Sequence, residues 1–125
     1  MNVLARLFHP TDMPMVGTFR RLFRSVQDLT SQIHEDWATN NRDWTMPGFR
    51  AIAVHRFGTW VSNKRPGALR TALLGLYRVM YRYIRNYYGI EIPLTVILGR
   101  RLWLVHQNGI VFHWKTVVGD DCLIR

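Results

Sequence analysis

Residues 89–125 read GIEIPLTVILGRRLWLVHQNGIVFHWKTVVGDDCLIR. Aliphatic residues recur there every six positions, at Ile92, Leu98, Leu104 and Ile110. Two extra residues then shift the frame, which resumes at Phe112, Val118 and Ile124. Leu98-Gly99 and Val118-Gly119 each place a glycine directly after an aliphatic residue. A six-residue period is a β-helix signal: each hexad supplies a short strand and a corner, the aliphatic side chain points inward, and a small residue eases the turn. An ordinary strand-rich segment is the competing reading. In a helix of this kind three hexads close one coil, so residues about eighteen apart are expected to stack.

Outward from this stretch the period changes. Thr18 to Ala38 carries Phe19, Leu22, Phe23, Val26, Leu29, Ile33 and Trp37 at three- and four-residue steps, which predicts a helix with one apolar stripe. The polar cluster Thr39-Asn40-Asn41 should stop it. A second helix is expected from Pro47, with Phe49, Ile52, Ala53 and Trp60 on one face and an end at residues 62–65. A third is expected from Pro66 to Gly89, with Leu69, Leu73, Leu76, Met80, Ile84 and Tyr87 as its apolar stripe. Residues 1–17 hold Pro10, Pro14 and Gly17 without a sustained period and read as a mobile leader. The expected organisation is α+β: leader 1–17, helical region 18–89, and the first coils of a β-helix over 90–125.

Composition narrows the function classes. The 125 residues carry a net charge of +9, and fifteen of the seventeen basic residues are arginine. Such a balance suits anionic partners or a solvated basic surface. Arg78, Arg82 and Arg85, interleaved with Tyr77, Tyr81, Tyr83, Tyr87 and Tyr88, suit an anionic membrane surface, or simply a solvated basic face. One cysteine, Cys122, cannot form an internal disulfide, which points to a reducing compartment and a cytoplasmic location. No apolar run is long enough to span a membrane. No zinc-ligand spacing, dinucleotide fingerprint, P-loop or nucleophile elbow is present. Metal ligands are therefore expected to be none, and Cys122 reads as a packed or edge thiol. Two residues remain as candidates for chemistry. His106 lies two positions past an inward Leu104, beside a corner; Glu91 is the only acid between Asp43 and Asp120. A carboxylate one coil away from a histidine can orient the ring, while alone each reads as a surface residue.

Three stretches resemble the serine O-acetyltransferases of the hexapeptide-repeat family. They are Pro47-Gly48-Phe49-Arg50-Ala51-Ile52-Ala53-Val54-His55-Arg56-Phe57-Gly58, Gly89-Ile90-Glu91-Ile92-Pro93, and the run from Leu98-Gly99 through His106-x-x-Gly109 to Val118-Gly119-Asp120-Asp121-Cys122. The similarity runs from about Ile33 to Arg125. The resemblance implies a left-handed parallel β-helix and transfer of acetyl from acetyl-CoA, as co-substrate, to the L-serine hydroxyl in cysteine biosynthesis. His106 aligns with the catalytic base, Glu91 with the orienting carboxylate, and Asp36 with a serine-contacting aspartate; Arg56 aligns with a structural arginine. Val105 stands where the family carries an acid, as in shorter, divergent members, some linked to exopolysaccharide acetylation. The family continues for several coils that line the acetyl-CoA groove. The chain is thus expected to be C-terminally truncated and impaired, with its cofactor-binding residues beyond Arg125. A full-length form would be a homotrimer or a dimer of trimers, with no nucleic-acid partner and no stable membrane insertion. The alternatives are a non-catalytic basic module that binds anionic membrane or nucleic acid, and an acetyltransferase acting on a sugar.

Overall fold

The computed structural model describes residues 14–125. Three helices lead into a short stack of strands: α1 Pro14–Thr39, α2 Pro47–Ser62, α3 Ala68–Tyr88, then β1 Ile97–Leu98, β2 Trp103–Leu104, β3 Val117–Val118 and β4 Leu123–Ile124. Of the expected leader, residues 1–13 lie outside the described residues. Residues 14–17 already belong to α1, whose first turn accommodates Pro14. The α3 stop is where the glycine predicts it: Gly89 adopts φ 65° and its N–H returns to the Arg85 carbonyl at 2.9 Å.

The strand region makes two successive turns. β1 pairs with β3 and β2 with β4, both parallel, and a single parallel bridge joins Glu91 to Val111. Every pairing spans twenty residues (Glu91 to Val111, Ile97 to Val117, Trp103 to Leu123). The eighteen-residue spacing expected from three plain hexads is therefore corrected. The two extra residues after Ile110 lie inside this coil and lengthen it. No closed sheet forms among the described residues. The inward positions match the period: Ile92, Leu98, Leu104, Phe112 and Val118 are buried, and Ile110 and Ile124 pack against them. Gly99 lies over Gly119 so closely that a Cβ on Gly99 would strike the Gly119 carbonyl. Arg101 and Asp121 occupy equivalent corners one coil apart, both with left-handed φ (54° and 56°), and their side chains are paired.

The helices cover this stack, with α2 in the middle. α2 buries residues all round, among them Phe49, Ala51, Ile52, His55, Arg56 and Val61, because α1, α3 and the coil all pack on it. At the α2–α3 crossing Gly58 meets the Tyr77 ring with no space for a side chain. The expected apolar stripes of the outer helices hold in part: Leu29, Ile33 and Trp37 of α1 and Leu73 and Met80 of α3 are half-buried, and Ile84 is buried, while the other stripe residues are exposed. α1 packs through Ser25, Asp36 and Asn40, roughly a quarter-turn from Phe19, Phe23 and Val26, which stay exposed. α3 buries Tyr77 and Ile84 while Leu69, Leu76 and Tyr87 face outward.

Candidate active site

β2 delivers the chain to His106. Leu104 is fully buried, and the backbone then turns through residues 105–109, ending at Gly109 with φ 68°. His106 projects from this turn and is exposed. Gln107 holds the turn in place. Its Oε1 accepts from the Gly48 N–H at 2.8 Å, and its Nε2 donates to the Leu104 and Val105 carbonyls at 3.1 and 3.2 Å. Gly48 is pressed against the coil: a Cβ there would come within 2.9 Å of the Leu104 Cβ. The N-terminus of α2 is therefore locked to the residue beside His106.

A second brace comes from the end of α1. Asn40 is fully buried; its Nδ2 donates to the Asp36 and Leu102 carbonyls at 2.7 and 2.9 Å, and its Oδ1 accepts from the Leu104 N–H at 3.4 Å. The bonds to the Leu102 carbonyl and the Leu104 N–H satisfy backbone groups that burial would otherwise strand. In the sequence Asn40 reads only as a helix stop, and nothing around Gln107 marks a clamp. Both roles depend on partners about sixty residues away, which local patterns do not encode.

Asp36 and Arg56 form the buried polar centre. Arg56 Nε donates to Asp36 Oδ2 at 2.9 Å and Nη2 to Oδ1 at 3.3 Å. The same guanidinium donates to the carbonyls of Leu98, at 2.9 Å, and Gly99. Arg56 is thus structural, tying α1 and α2 to the first coil. Asp36, aligned by resemblance with a substrate contact, is fully buried with both oxygens engaged by Arg56. A bidentate pair of this kind is held by geometry as much as by charge.

Glu91 occupies the first ladder, half-buried, and stacks beside Val111 rather than one coil away from His106. The notion of a carboxylate one coil below the histidine is therefore corrected: Glu91 and His106 lie within the same twenty-residue coil. Glu91 sits close enough to Tyr81 that its charge, after burial, raises the phenol's pKa. Among the described residues neither the Glu91 carboxylate nor the His106 imidazole has a hydrogen-bond or ion-pair partner. A neutral imidazole without a partner can take a proton from a bound hydroxyl.

His55 drew no notice in the sequence beyond its place in the resembling segment. It is 4% exposed, and both ring nitrogens lack a hydrogen-bond partner. Burial and then the Arg56 charge lower its pKa from 6.5 to about 4. The backbone at Pro93 and Val96 approaches the ring and opposes this shift, without the alignment of a hydrogen bond. His55 lines a 440 Å³ cavity between α1, α2 and the first coil; His106 is not part of its wall. Among the described residues no three potential metal-ligating side chains cluster.

A serine acetyltransferase of Synechococcus elongatus is 32% identical to the chain over 78 residues, which is 62% of this chain and 29% of that protein. The chain is similar to a transferase. It spans under a third of that relative's length, and the similarity supports an acyltransferase relationship in the general sense. No family model and no solved structure matches the chain.

Proposed function

We propose that this chain carries the acceptor-activating part of a serine O-acetyltransferase, built on the opening coils of a left-handed β-helix. The observation that carries the reading is the 78-residue similarity to a serine acetyltransferase. The free, exposed His106, on a turn fixed by Gln107, supports it.

In the proposed reaction the His106 imidazole removes the proton from the L-serine hydroxyl as that oxygen attacks the thioester carbonyl of acetyl-CoA. A tetrahedral oxyanion forms. Its collapse breaks the carbon–sulfur bond, and the imidazolium returns the proton to the departing thiolate, leaving O-acetylserine and free CoA. Glu91, the only acid of the coil that carries His106, is the residue assigned to balance the imidazolium charge. Acetyl-CoA lies in a groove that a second subunit of a trimer completes against this coil.

Thiol release from acetyl-CoA by the purified chain tests the reading, with L-serine, with a sugar acceptor and with neither. Serine-dependent release supports it. Release that depends on the sugar alone would move the acceptor class to carbohydrates, and release indifferent to both would dismiss acetyl transfer to a hydroxyl.

A further inference from the structure

The outward face of α3 is unusual for a helix in a small domain. Leu69, Ala72, Leu76, Val79, Tyr83 and Tyr87 recur at steps of three or four and all lie exposed; Leu69 is 72%, Val79 65% and Tyr87 74% exposed. An apolar stripe of this length on a helix surface needs a partner. Arg78 and Arg82 lie exposed along one flank of it. No acidic residue occurs anywhere between Asp43 and Glu91, so neither α2 nor α3 offers a carboxylate to those arginines. Trp44, 74% exposed, stands across an apolar groove of 630 Å³ from Val79 and Tyr83.

We propose that this face docks flat on an anionic lipid bilayer. The apolar stripe enters the boundary between headgroups and acyl chains, while Arg78 and Arg82 reach lipid phosphates, their stems lying along the apolar surface. Tyr83, Tyr87 and Trp44 present the amphipathic rings that favour the membrane–water interface. Charge decides against a second copy of the chain as the occupant. A two-fold pairing of two such stripes places arginine rows near each other with no acid in α2 or α3 to compensate. An anionic surface attracts the same rows. Docking is peripheral, because no helix among the described residues is long and apolar enough to cross a membrane.

Co-sedimentation of the full 125-residue chain with vesicles tests this, using phosphatidylcholine alone and phosphatidylcholine containing one-third phosphatidylglycerol. Binding is expected to the anionic vesicles only and to weaken in half-molar salt. The pair Arg78→Gln and Arg82→Gln is expected to weaken it about thirtyfold. The pair Leu76→Ser and Val79→Ser, on an exposed face that the core does not use, is expected to weaken it at least about tenfold with an unchanged circular dichroism spectrum. Failure of the folded chain to bind anionic vesicles at low salt would overturn the proposal. So would an apolar-pair variant that binds vesicles normally while losing self-association by analytical ultracentrifugation; that result would assign the stripe to a second copy.

Discussion

At the scale of single residues, the buried Asp36–Arg56 pair and the buried His55 make opposite kinds of demand. Asp36→Ala leaves the Arg56 guanidinium buried without its counter-charge, and denaturant unfolding is expected to show a loss of about 3–5 kcal/mol. Replacing both partners with leucine should recover only part of that loss, because the Leu98 and Gly99 carbonyls would still lose their donor. Full recovery in the double variant would mean that those carbonyls find other partners. His55 contributes a pH dependence. Its folded pKa, about 4, lies below the 6.5 of the unfolded chain, so the unfolded state binds the proton first. Stability is then complete above about 6.5 and declines as pH falls toward 4, by on the order of 3 kcal/mol. His55→Leu should flatten this decline in unfolding curves recorded across that range. An equally steep decline in the variant would assign the effect to other groups.

At the scale of elements, the glycines at close approaches carry the architecture. Gly58→Ala drives a methyl into the Tyr77 ring, and Gly99→Ala drives one into the Gly119 backbone. Tyr77 belongs to a helix that can shift slightly, whereas the Gly119 carbonyl belongs to the ladder in which the Gly99 N–H donates to Val118. Gly99→Ala is therefore expected to lower the melting temperature more than Gly58→Ala, and a reversed order would show that the coils adjust more readily than the helices. The hexad positions were legible in the sequence because burial follows their period directly, from Ile92 to Val118. The helix boundaries at Pro47 and Gly89 were legible because proline and glycine act locally. Which face each outer helix buries was legible only in part. α1 turns toward the coil through Asp36 and Asn40, polar residues that a hydrophobic pattern assigns to solvent. The length of the coil is legible only in part: the sequence shows the two extra residues, and the pairing of Glu91 with Val111 shows that they add to the stacking distance.

At the scale of the whole molecule, the three helices of the described residues brace a two-turn stack so that His106 is exposed with no hydrogen-bond partner among them. Gln107 ties its turn to the start of α2, and Asn40 ties the preceding strand to the end of α1. The motif around His106 could be read in the sequence, while the braces that hold it could not, since each spans about sixty residues. Asn40→Ala strands the buried Leu102 carbonyl and is expected to cost about 1–3 kcal/mol of stability, read by denaturant titration. A smaller loss would show that the strand before His106 is held by packing alone.

The most direct test of the account compares serine-dependent thiol release from acetyl-CoA by the chain and by its His106→Ala variant. Removing the proposed general base is expected to lower the rate at least about a hundredfold while leaving the unfolding curve unchanged, since the exposed imidazole has no hydrogen-bond partner among the described residues. A folded variant that retains the parent rate would contradict the assignment of His106 as the base.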